Sequence, residues 1–216
     1  MIVKSVNLGK AKIVSWRGKQ VKTGIYKYPV DEPIELGIED VVSDAVVDRK
    51  YHGGPEKACY LYSADHYPYW KSLYPKLEWN YGMFGENITI EGLNEDDLII
   101  GDVYQLGEAK VQITQPREPC YKLGIRFGTQ KVVKQFLNKS FCGSYIQILK
   151  TGVVKPGDTM QLLEANGGQL SIAKLYDLFF GKDVNVPELK KAAQNSWVTE
   201  NNMKNLKNRL KIMNIT

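Results

Sequence analysis

For its first 165 or so residues the chain runs as short alternating apolar and polar stretches, each cut off by glycine, proline, asparagine or aspartate. Successive side chains of an extended strand point to opposite faces, so such runs make half-buried strands and the punctuation makes turns. Residues 12–16, 24–30, 58–62, 102–106, 110–114, 144–149 and 159–163 carry this pattern, and 84–90 read as a turn followed by a strand. The pairs around Gly107-Glu108 form a hairpin. Residues 41–48 give a mixed strand pattern, with Val42, Asp44, Val46 and Asp48 on one face and Val41, Ala45 and Val47 on the other. Many short strands at regular spacing predict a β-barrel or closed β-fold rather than a βαβ sheet.

Helical spacing enters locally and then takes over. Ser63 is placed to cap a short helix through Trp70 and Leu73, and 129–138 space Val132, Val133, Phe136 and Leu137 for an amphipathic helix. The composition changes at Asn166-Gly167-Gly168. Beyond it, Ser171 caps a helix ended by Gly181, Pro187 opens a second, and a third runs from Thr199 with Met203, Leu206, Leu210 and Met213 on one stripe. The lysines of this third helix and Arg209 fall mostly off that stripe, which fits a solvated face better than a DNA-reading one. The fold class is therefore mainly β with α: a barrel over 1–165 and a small three-helix module over 166–216.

One stretch concentrates chemistry: Gln115-Pro116-Arg117-Glu118-Pro119-Cys120-Tyr121-Lys122-Leu123-Gly124. It follows a strand, so Cys120 sits on a loop that two prolines stiffen. Arg117 and Lys122 place cations near the sulfur, which favours thiolate over thiol. A rigid, partly exposed thiolate is a nucleophile, a redox group or a soft metal ligand; the alternative is a buried cysteine acting as a small hydrophobe. A second stretch, Asp48-Arg49-Lys50-Tyr51-His52-Gly53-Gly54-Pro55, puts His52 at the entrance of a glycine turn whose backbone N–H groups can approach a ligand, or else it is a plain surface turn. The aromatics Tyr67, Tyr69, Trp70 and Tyr74 read as packing, and the acidic run 94–97 as a solvated turn without calcium-loop spacing.

The 216 residues hold 43% hydrophobic and 25% charged side chains, ordinary for a globular protein with a sizeable core. A net charge of +5 suits an anionic small molecule as well as nucleic acid. The three cysteines match no zinc spacing, and there is no secretory leader or membrane-length apolar run. These features lead to the expectation of a cytoplasmic protein with reduced thiols, no membrane and no nucleic-acid partner. Cys59 lies in an apolar strand pattern and Cys142 abuts a glycine turn, so both read as structural.

Asp48-x-x-x-His52-Gly53-Gly54, Phe84-Gly85-Glu86-Asn87 and Gln115-Pro-Arg-x-Pro-Cys120, in this order and spacing, resemble the MOSC domain family. Gly92-Leu93, Ile100-Gly101-Asp102, Leu123 and Gly157-Asp158 agree with it. The resemblance covers about residues 30–165, and the helical tail is similar to the three-helix extension of the YiiM-like subfamily. It implies a barrel-like fold that binds molybdenum cofactor, with Cys120 as the sulfur ligand to molybdenum. For the pterin phosphate the residues in view are Gly53, Gly54, Arg117 and Lys122, and Asn87 is a further cofactor-binding candidate. Ser144 and Gln147 depart from the family, which often has an aromatic and a basic residue in that strand.

By the same resemblance the activity expected is reduction of N-hydroxylated compounds, such as N-hydroxylated purine bases. Cys120 and His52 are the catalytic candidates, with Asp48, Glu86 or Asn87 as further positioning groups. Two alternatives remain: a sulfur carrier with a persulfide on Cys120, or a non-catalytic pterin-binding module. A reductase must be re-reduced, yet the chain has no dinucleotide fingerprint, iron–sulfur spacing or haem motif. A separate redox partner, most simply a flavoprotein reductase, is therefore expected.

Overall fold

The computed structural model describes residues 1–213 of the chain. It opens with β1 (Ile2–Gly9), the hairpin of β2 (Lys12–Trp16) and β3 (Lys19–Thr23), and the short strands β4 (Lys27–Pro29) and β5 (Ile34–Leu36). Helix α1 (Arg49–His52) and a 3-10 turn (Pro55–Lys57) lead into β6 (Cys59–Ser63), which α2 (Tyr67–Leu73) connects to β7 (Ile88–Glu91). The hairpin of β8 (Val103–Leu106) and β9 (Ala109–Pro116) is followed by α3 (Tyr121–Arg126) and α4 (Lys131–Leu137). Strands β10 (Ser144–Lys150), β11 (Gly152–Val154) and β12 (Met160–Glu164) precede α5 (Ile172–Phe180), α6 (Val186–Ala192) and α7 (Glu200–Ile212).

Eight strands form one sheet in the order β12-β8-β9-β10-β6-β7-β1-β4. Every neighbouring pair is antiparallel except β6 and β7, whose parallel pairing is bridged by the crossover through α2. The expected closed barrel is corrected here: the ladder stays open. Strand β4 has only three residues and ends on Pro29, which has no N–H to offer a further strand. The pairs β2–β3 and β5–β11 form two-stranded sheets of their own and do not complete the ladder. One isolated bridge, Ile2 to Thr159, links β1 to the approach of β12.

Two local expectations also change. Residues 41–48 are not a strand, because Ser43 adopts φ 67 and turns the chain, leaving Val41 with a single bridge to Leu36. The acidic turn 94–97 is not wholly solvated: Glu95 is buried, 2.8 Å from His66 Nε2, and accepts from the Gly143 N–H at 2.8 Å.

The caps follow the sequence. Ser171 Oγ accepts from Lys174 N, and Thr199 Oγ1 from Asn202 N. Pro68 falls in the first turn of α2, where its missing N–H costs nothing. The aromatics around α2 pack as a core: Tyr62 stacks on Phe84 at 4.3 Å, Trp70 on Phe136 at 5.8 Å, and Trp70 Nε1 donates to the Tyr62 hydroxyl. Each such fully buried side chain stabilises by about 1.5–3 kcal/mol. The apolar faces of α5, α6 and α7 (Leu175, Leu189, Leu206) join this same continuous core rather than a separate one.

Candidate functional site

Three stretches far apart in sequence converge on one pocket at the β6–β10 face of the sheet. β9 buries alternate residues and delivers the chain to the 117–120 loop. Cys120 is the N-cap of α3 with extended backbone (φ −113, ψ 169), and its side chain makes no capping bond. Its half-buried sulfur lines the pocket together with Arg117 and Lys122. From the second stretch come His52, at the end of α1, and Asp48, at its start. The third, just ahead of β7, supplies Asn87 and Gly85.

Gly53 and Gly54 are not among the pocket-lining residues. The Gly53 N–H closes α1 on the Arg49 carbonyl at 3.0 Å, so it is not free for a ligand. Gly54 has φ +102, a conformation that disfavours a side chain, and it lets the chain turn from His52 into the 3-10 turn. Asn87 is largely committed as well. Its Oδ1 accepts from Tyr60 N (3.3 Å) and its Nδ2 donates to Asp44 Oδ2 (3.0 Å), leaving one amide hydrogen. Glu86 faces away, fully buried, accepting from Gly82 N, Phe84 N, Thr89 Oγ1 and the Tyr67 hydroxyl. Burial raises its carboxyl pKa despite these bonds.

The pocket is cationic. Arg117 is 4% exposed, and its Nη1 is buried with no hydrogen-bond partner among the described residues. The guanidinium lies over the rings of Tyr60 (5.2 Å) and Phe136 (5.5 Å). Lys122 Nζ is 3.6 Å from Asp48 Oδ2, and Lys57 Nζ donates to the Tyr51 carbonyl at 2.8 Å. The pKa of His52 is lowered to about 4, first by burial and then by Arg117, Lys57 and Lys122, with Asp48 opposing. Its ring is thus neutral at neutral pH. An isolated buried guanidinium atom is costly unless something anionic meets it. The wall formed by residues 41–48 is pinned by Asp44, which pairs with Lys27 and accepts from Gly9 N at 2.9 Å. That wall rests on Gly24, where a Cβ would come within 2.1 Å of the Ala45 carbonyl oxygen.

Cys59 and Cys142 are fully buried, and burial pushes both thiols well up. In β10, Ser144 points into the core while Tyr145 faces the pocket; Gln147 lies outside the lining. Sequence reasoning did not single out Lys57, Tyr60, Tyr145 or the Lys27–Asp44 pair. The alternation of β10 could have found Tyr145, since its parity is opposite to that of the core residues Ser144 and Ile146. Nothing local marks the others.

These residues fit an anionic, sulfur-ligated cofactor. The orphan Arg117 Nη1 and the nearby ammonium groups suit a phosphate, and a cysteine sulfur suits a soft metal.

The MOSC domain model matches residues 48–161. The chain is 39% identical over 170 residues to the protein YflK of Bacillus subtilis (strain 168), covering 79% of this chain and 76% of YflK. It is 30% identical over 180 residues to a protein named "Reductase" from Gibberella moniliformis, covering 82% of this chain but 32% of that one. The crystal structure of YiiM from Geobacillus stearothermophilus superposes with a TM-score of 0.79 at 32% identity, covering 96% of this chain and 99% of that chain.

Proposed function

The chain belongs to the MOSC domain family, and from that premise we propose that it is a molybdenum-cofactor-dependent reductase of N-hydroxylated compounds. The observation that carries the reading is the pairing of a half-buried Cys120 with the unpartnered, buried Arg117 Nη1 in one pocket. The likeness to a protein named reductase supports the redox class.

When bound, the cofactor supplies the two electrons that the N–O bond accepts. Cys120 would hold the metal through its sulfur. Arg117 and the ammonium groups of Lys57 and Lys122 would hold the cofactor's phosphate, and the remaining amide hydrogen of Asn87 can orient a polar edge. Reductive cleavage of N–OH to N–H consumes two protons and releases water. His52, neutral and half-buried in the same pocket, is the group able to relay one of them, its unprotonated ring nitrogen taking a proton from solvent as the other ring N–H gives one to the substrate. Tyr60 and Tyr145 wall the pocket and limit water access. Electrons enter from a separate protein, for which a flavoprotein reductase is the simplest class.

The test uses protein made in a cofactor-competent host. Molybdenum should co-purify near one per chain, and an N-hydroxylated purine base should turn over with a reduced viologen dye but not with NADPH alone. Metal-free protein carrying a persulfide on Cys120 and no turnover would replace this reading with a sulfur carrier.

A further inference from the structure

A line of buried amides runs from the last helix to the pocket. Asn202, on α7, is 2% exposed, and its Nδ2 donates to Gln115 Oε1 at 2.9 Å. Gln115, 3% exposed, is two residues ahead of Arg117. Its Nε2 reaches the Glu56 carbonyl at 3.4 Å, and Thr114 Oγ1 donates to the same carbonyl at 2.7 Å. Glu56 immediately precedes Lys57. The line therefore ends one residue from Lys57 and two from Arg117, both of them cations of the pocket. A buried polar side chain is retained only where its bonds are satisfied, and here the Gln115 amide has one orientation that satisfies both Asn202 and the Glu56 carbonyl.

We propose that Asn202 and Gln115 are positioning residues that fix Arg117 and Lys57 in the pocket, so that the C-terminal helices are part of the anion site. Asn202 fixes which end of the Gln115 amide is an acceptor. That leaves Nε2 to hold the Glu56 carbonyl, and with it the 3-10 turn that carries Lys57. Gln115 also anchors the strand end from which Arg117 departs. Without Asn202, the Gln115 amide can reverse and lose its hold on that carbonyl, leaving it to the Thr114 hydroxyl, which the Tyr145 carbonyl also draws at 2.9 Å. The inference rests on reading the pocket as an oxyanion site, but its test needs no molybdenum.

The chain has two histidines, so proton NMR of the full chain can follow the His52 ring apart from the one other histidine signal. The groups that face His52 are Arg117, Lys57, Lys122 and Asp48, and the first two are those the relay is proposed to hold. In Asn202→Ala, and separately in the shape-preserving Gln115→Leu, the His52 midpoint should rise by about half a pH unit or more as the two cations relax away. The His66 signal, beside Glu95 and outside the pocket, should not follow. Sulfate affinity should fall about tenfold, the size of one lost buried hydrogen bond. The double variant should match the single ones, because both break one line. A His52 midpoint unmoved in Gln115→Leu would overturn the relay and leave Asn202 as a brace for α7. Absence of saturable sulfate binding to the unmodified chain would instead count against the oxyanion pocket, with the His52 midpoint still deciding the relay.

Discussion

Replacing Arg117 by methionine should separate ligand retention from folding. The guanidinium is 4% exposed, and its Nη1 has no partner among the described residues. Removing it forfeits stacking on Tyr60 and Phe136, about 1–2 kcal/mol. It also relieves the desolvation of a buried cation, an effect of comparable or larger size, and methionine fills most of the volume. The two effects nearly offset, so the melting temperature of the cofactor-free chain should stay within a few degrees of wild type or rise. Binding should behave oppositely. One or two charge-assisted bonds from Nη1 to an anion are worth about 1.5–3 kcal/mol each, so one alone makes retention about 10- to 150-fold weaker when lost. Arg117→Lys keeps the charge without the planar fork and should recover only part of it. Arg117→Ala should lose binding and also about 2–4 kcal/mol of stability through the cavity. The assays are thermal unfolding without cofactor, and molybdenum content with sulfate titration. A methionine variant that melts ten degrees lower yet keeps full molybdenum would refute the reasoning, because Arg117 would then be a structural cation.

Four further outcomes follow from the geometry. Cys120→Ser should lose molybdenum and turnover with little change in melting temperature. Cys59→Ser and Cys142→Ser should keep the metal but cost about 1–3 kcal/mol each by placing a hydroxyl in an apolar site, as metal analysis beside denaturant titration would reveal. The depressed His52 pKa makes the cofactor-free fold acid-sensitive. The unfolded chain takes up the proton near the ordinary value of 6.5, whereas the folded chain waits until about 4, so stability is lost as pH falls between those values. His52→Gln should flatten that part of a stability–pH curve measured in urea, and an unchanged slope would assign the acid loss elsewhere. A chain ending at Ala165 should lose cooperative unfolding, since Leu175, Leu189 and Leu206 share the sheet's core and Gln115 would lose its partner; a sharp transition at wild-type temperature would establish 1–165 as an autonomous unit.

The local grammar of this chain was readable because it depends on neighbours in sequence. Ser171 and Thr199 cap helices wherever those helices go, and the alternation of 110–114 makes a strand in any sheet. The loop after that strand was equally legible, since two prolines and a cysteine define it within ten residues. Closure of the sheet was not legible, because strand counts do not say whether edges meet; Pro29 and the two separate strand pairs, β2–β3 and β5–β11, decided it. Residues 41–48 kept their apolar pattern yet lost the strand, because the Ser43 turn and the bonds of Asp44 to Gly9, Lys27 and Asn87 exist only in three dimensions. Sequence likewise singled out Cys120, Arg117 and His52, which the fold brings into one pocket. Only the tertiary structure decided that the Gly53 N–H is already used, that Glu86 faces the core, and that Lys57 and Tyr145 join the pocket. Side-chain chemistry is a property of the residue, whereas which hydrogen-bonding groups remain free depends on partners that folding brings from far along the chain.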